Sequence, residues 1–79
     1  MRDPRIDPRP GDVLMKRGSV RAVRGISVSG EYLLCDDQSA ADYVSGLRNW
    51  ELVTPWMWQW RKWAADAEVI HQEDDQIDL

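Results

Sequence analysis

Phenylalanine is absent from this 79-residue chain, and cysteine and histidine occur once each, as Cys35 and His71. A lone cysteine forms no intrachain disulfide and no cysteine zinc cage, which fits a reducing, cytoplasmic setting. Histidine pairs, Cys-x-x-Cys, a glycine-rich phosphate loop and a Gly-x-Ser-x-Gly elbow are all missing. Long apolar runs are missing too. None approaches the roughly 18 residues of a membrane span, and mean hydropathy is -0.56. No apolar stretch follows Met1-Arg2-Asp3-Pro4-Arg5, so no secretory signal is expected. A chain of this length closes one small core.

Charge is present but unevenly placed. The net value is -4. Residues 1–34 carry seven basic groups against four acids, giving +3; residues 35–79 carry three against ten, giving -7. Such asymmetry fits a charged partner or two faces with different roles, and equally a solvated surface whose signs cluster along the chain.

Three of the four prolines, Pro4, Pro8 and Pro10, precede Gly11. Proline fixes φ and pushes its predecessor toward extended geometry, so residues 1–10 read as an extended Pro/Arg arm. Residues 11–71 read as one globular domain. A first strand is expected over 12–17 and a turn at Gly18-Ser19. Over 19–29, Val20, Ala22, Ile26 and Val28 share one phase of a period-two pattern that predicts this face in the core, interrupted at Arg24-Gly25, where a bulge is predicted. Residues 31–36 form the returning strand of a hairpin, and its apolar middle predicts burial on both sides. Residues 37–42 read as a polar loop, with a helical turn over 42–46 as an alternative. A fourth strand is expected over 47–53.

Thr54-Pro55 signals a helix start, with the helix running to Ala67. Trp56, Trp60, Trp63, Ala64 and Ala67 fall on one helical face. A short closing strand follows at 69–71, and 72–79 is an acidic tail expected to be disordered. The predicted class is therefore mainly β with one helix (α+β). Two hairpins cannot hide both their faces, so the sheet must curl or be covered by the helix. The order of elements resembles the small Src-homology-3-like barrel and its ribosomal KOW relative, with a curled antiparallel sheet as the looser form. Trp56, Trp60 and Trp63 are expected to seal the helix against the sheet, because large rings dominate a small core.

No catalytic set is expected. Cys35 and His71 are the only nucleophile–base candidates, and Cys35 lies in an apolar strand where a small buried thiol is the usual role. The acidic groups, Asp36, Asp37 and Asp42 and then Glu73, Asp74, Asp75 and Asp78, lack the spacing and glycine of a calcium loop. No metal or cofactor is predicted. Carboxylates on a small rigid body can instead imitate phosphates and occupy a basic groove on another protein. On the helical wheel Trp58 points away from the other tryptophans, beside Arg61 and Lys62. A tryptophan among cations is a typical interface anchor, and a homodimer or partner groove would bury it, unless the sheet itself wraps far enough to cover it. The candidate partner-binding residues are thus Trp58, Arg61, Lys62, Asp36, Asp37 and Asp42. The competing reading is a nucleic-acid-binding barrel in which Arg17, Arg21 and Arg24 on the hairpin and Arg9 on the arm track a phosphate backbone.

The block Asp7-Pro8-Arg9-Pro10-Gly11-Asp12-Val13-Leu14 and the later run Trp60-Arg61-Lys62-Trp63-Ala64-Ala65-Asp66-Ala67-Glu68-Val69-Ile70 resemble small accessory proteins of bacteriophages and prophages. The resemblance covers a third to a half of the chain and carries no catalytic residue. It implies a mobile-element origin more than an activity. Small acidic phage proteins of this size are often inhibitors of host machinery, so the expected protein acts in the bacterial host cytoplasm by binding a host protein or protein–nucleic-acid complex. Anti-CRISPR inhibitors of host defence are the example of that kind.

Overall fold

The computed structural model describes residues 2–73. Five strands and two helices follow in the order β1 (Val13–Lys16), β2 (Ser19–Ile26), β3 (Leu33–Ser39), α1 (Ala40–Val44), β4 (Glu51–Val53), α2 (Met57–Ala64) and β5 (Glu68–His71). The strands make a single sheet in the order β4-β3-β2-β1-β5, and every neighbouring pair is antiparallel. The α+β class is therefore present.

The β1–β2 hairpin turns at Arg17-Gly18, one residue earlier than the sequence signal. Both residues have positive φ, 40° and 80°, which matches the twist of a two-residue hairpin. The bulge expected at Arg24-Gly25 is present, since Val23 pairs with Cys35 but the next partners are Gly25 and Leu34. Burial of β3 on both sides is not observed: Leu33 and Cys35 are buried whereas Leu34 is 38% exposed. β3 also runs on through Asp37, Gln38 and Ser39, where a polar loop was expected. The ladder to β2 continues there, and the oxygens of the polar side chains find partners one by one. Asp37 Oδ2 accepts from Arg21 Nε at 2.8 Å, and Gln38 Oε1 accepts from the Asn49 N–H at 3.0 Å. The helical turn follows directly as α1, with Ser39 Oγ accepting the Asp42 N–H at its start.

Helix α2 begins later than Thr54-Pro55 predicts. The Leu33 N–H donates to the Pro55 carbonyl and the Met57 N–H to that of Glu31, which hold residues 55–56 extended beside Tyr32. The cap comes from Gln59, whose Oε1 accepts the Trp56 N–H at 2.9 Å. The core joins Leu14, Val23, Leu33 and Cys35 from the sheet to Trp60, Ala64 and Ala67. Trp60 is 0% exposed, and Trp63 is partly buried against the same cluster. Trp56 departs from the expected seal: it precedes the helix, is 50% exposed, and meets Tyr32 edge-on.

The first ten residues do not reach away as an arm. They turn at Asp3, whose carbonyl accepts the N–H groups of Ile6 and Asp7, and bury Pro4 and Pro8. A buried indole N–H needs an acceptor, and Trp60 Nε1 donates to the Pro4 carbonyl at 3.0 Å. Arg5 Nε adds a bond to the Ala67 carbonyl. Asp12, also 0% exposed, closes the arrangement. It accepts from Arg2 Nη1 at 2.6 Å and Nη2 at 3.2 Å, and from the N–H groups of Arg9 and Glu73 at 2.8 Å each. Residues 74–79, which hold most of the expected disordered tail, lie outside the described residues.

Candidate functional site

Helix α2 is fixed in rotation by Trp60 and Ala64, four residues apart and both fully buried. That rotation sends Trp58 outward, where 63% of its surface is exposed. Arg61 and Lys62 stand one turn further along the same side and are also exposed. Arg61 Nε donates to the Ile6 carbonyl at 2.9 Å, which sets exposed Ile6 beside the helix. The sheet does not cover this face.

The cations elsewhere are largely compensated. Arg2 pairs with Asp12, Arg5 with Asp3 and Lys16 with Asp66. The Lys16 ammonium, at 2.9 Å, holds the Asp66 carboxyl below its ordinary range. Arg61 and Lys62 make no ion pair among the described residues. The helix face thus combines an exposed indole with two adjacent positive charges that no carboxylate in the described chain neutralises.

The predicted acidic group is placed differently. Asp36 lies in β3 as the strand reading placed it, Asp37 lies in β3 too and not on the expected loop, and Asp42 lies in α1. Asp37 is held by Arg21 at 2.8 Å and Asp36 by Arg24 at 3.7 Å. Asp42 Oδ2 accepts from Asn49 Nδ2. Arginines across the sheet offset two of the three charges, so these carboxylates do not form an uncompensated row.

The predicted basic group is also divided. Arg17 sits at the hairpin turn and is exposed. Arg21 registers with buried Leu14, and its guanidinium lies 4.7 Å from the Trp63 ring centroid. Arg24 is at the bulge beside Asp36, and Arg9 lies 3.7 Å from Asp7. Cross-strand ion pairing and the cation–π contact engage the middle of the track that nucleic acid would follow.

Cys35 and His71 do not meet. Cys35 is fully buried, and burial pushes its thiol up to about 12, far from the thiolate a nucleophile requires. His71 is exposed on β5, 3.8 Å from Glu73, with β2 and β1 between its strand and β3. Among the described residues no three His, Cys, Asp or Glu side chains gather as a metal-holding group. No helix among the described residues is long and apolar enough to cross a membrane.

Sequence reasoning missed the Arg2–Asp12 clasp and the exposed Tyr32–Trp56 pair. Asp12 follows Pro10-Gly11, which marks a turn but gives no sign of a buried carboxylate. Tyr32 and Trp56 meet only through long-range pairing. In comparisons with known proteins, the chain matches no family model, no curated protein and no solved structure.

Proposed function

We propose that this chain is a non-enzymatic, phage-type binding protein of the bacterial host cytoplasm that docks on a host protein as an inhibitor of a defence complex, in the manner of anti-CRISPR proteins. The observation that carries the reading is Trp58, exposed between Arg61 and Lys62 on a helix whose opposite side is locked into the core. Tryptophan and arginine dominate interface hot spots, and truncating such an anchor typically costs at least ~2 kcal/mol of binding. Uncompensated cations beside it select an acidic partner surface. The phage-like ends of the sequence support the same reading.

The finer fold belongs to this proposal. A strand order with β1 between β2 and β5, and α2 standing between β4 and β5, favours a Src-homology-3-like or KOW-like barrel. Trp60 and Trp63 act as its helix-to-sheet seal.

The test compares tagged wild type with Trp58→Ala and with Arg61→Glu/Lys62→Glu, in host-lysate pull-downs and in phage plaquing on a defended host. Wild type is expected to retain a defence component and raise plaquing. Both variants are expected to lose these effects at an unchanged melting temperature. Full activity of both variants would overturn the interface. DNA or RNA binding that weakens steeply with salt and survives Trp58→Ala would favour the nucleic-acid reading instead.

A further inference from the structure

Strand β4 ends the sheet on one side and, among the described residues, pairs only with β3. Among these residues no other backbone hydrogen bond engages 51–53, and an edge of this kind accepts an added strand. Two hollows flank it. One, of about 290 Å³, opens between Tyr32, Thr54 and Trp56, where the two rings meet at 83° with centroids 5.9 Å apart. The other, of about 510 Å³, is walled by Asp37, Asp42, Trp50 and Glu51 with Gln38. Between them Leu52 is half exposed. Leu52 registers with Asp36, so it shares a face with Leu34, two residues earlier on β3.

We propose that the β4 edge binds an extended peptide segment of a partner protein as a sixth strand, with a lysine or arginine near Glu51 and apolar side chains toward Thr54. Three observations select this occupant. Tyr32, Leu34, Leu52 and Trp56, each only 38–53% exposed, make a patch well short of the ~800 Å² per partner that stable interfaces bury. A second copy is therefore too large for the patch, while a strand gains backbone hydrogen bonds in addition to area. Charge favours a cation at one end only: Glu51 makes no ion pair among the described residues, and the Trp50 ring stands in the same wall. Finally, Gln38 Nε2 in that wall is buried with no acceptor among the described residues, so a ligand rich in carbonyl oxygens suits it.

The probes are acetylated, amidated peptides, Lys-Val-Thr-Val-Thr and its reverse, titrated into the 15N-labelled full chain. Saturable shifts are expected at the amides of residues 51–54 and Trp56 and at the Trp50 and Trp56 indoles. Leu52→Asp and Glu51→Lys, each checked for an unchanged melting temperature, should weaken binding about tenfold or more. Replacing the peptide lysine by glutamate should restore affinity for Glu51→Lys. N-methylating the peptide's valines should abolish binding. Trp58→Ala should leave it unchanged, which separates this site from the α2 face. No saturable shift at millimolar peptide would overturn the proposal, as would shifts centred on α2. The same amides moving when the protein alone is concentrated would assign the edge to a second copy and also overturn it.

Discussion

Replacing Asp12 tests the physical account of how the chain closes. Its carboxylate is wholly buried and takes two bonds from Arg2 and two from backbone N–H groups, one of them Glu73. Breaking a buried charge pair by removing one partner costs about 3–5 kcal/mol. A domain of this size has only about 4–12 kcal/mol in total. Asp12→Asn keeps the shape and one acceptor oxygen, so it isolates the charge-assisted bonds, worth about 1.5–3 kcal/mol. Urea unfolding followed by tryptophan emission should show that loss, with Asp12→Ala worse. Arg2→Ala combined with Asp12→Ala should lose less than the sum of the two single changes. Burial opposes ionisation of Asp12, but the Arg2 hydrogen bonds and the Arg9 and Glu73 amides outweigh it and hold the carboxyl below its ordinary 3.8. A depressed carboxyl contributes stability that is complete above the unfolded value and is lost as pH falls through the folded one. Wild type should therefore lose more stability than Asp12→Asn on acidification below about pH 4. A cost under about 1 kcal/mol, an additive double mutant, or identical acid profiles would refute the clasp.

Two further outcomes follow from the core and the first hairpin. Trp60→Phe removes the indole donor and strands the Pro4 carbonyl. It should cost about 2–3 kcal/mol in urea melts, with release of the N-terminal segment read as faster amide exchange at Ile6 and Asp7. Arg17 holds φ 40°, a region costing non-glycine residues about 1–2 kcal/mol. Arg17→Gly should raise stability by about 0.5–1 kcal/mol after its larger unfolded-state entropy is subtracted, and a destabilised variant would refute the strain.

The legible parts of the fold were those written in short-range pattern. Alternation over 19–26 gave the strand β2 and Arg24-Gly25 its bulge, because period and punctuation are local. The phase was wrong: before the bulge it is Val23, not Val20 or Ala22, that joins the core cluster, and Val28 is fully exposed. The i, i+4 pair Trp60–Ala64 gave the buried side of α2 and, by subtraction, the outward Trp58. What was not legible depended on distant partners. Asp37 and Gln38 look like loop residues until Arg21 and the Asn49 N–H arrive to bond their side-chain oxygens. Trp56 fits the helical stripe, yet pairing with Tyr32 holds it extended. The proline-rich start reads as an arm because nothing nearby announces that Trp60 needs the Pro4 carbonyl. Among the candidate contact residues, Trp58, Arg61 and Lys62 were brought together on one face. Asp36, Asp37 and Asp42 were divided among arginine partners and α1, since strand register decides cross-strand ion pairs.

The bond from Arg2 Nη2 to the Glu73 carbonyl, 2.8 Å across 71 positions, also bears on synthesis. A ribosome makes the chain from one end, and the arginine waits for its carbonyl until Glu73 has left the exit tunnel. Until then Asp12 lacks its last donor. The newborn protein should therefore stay protease-sensitive until β5 emerges, and nascent chains halted before Glu68 should remain cleavable over the whole stretch outside the ribosome.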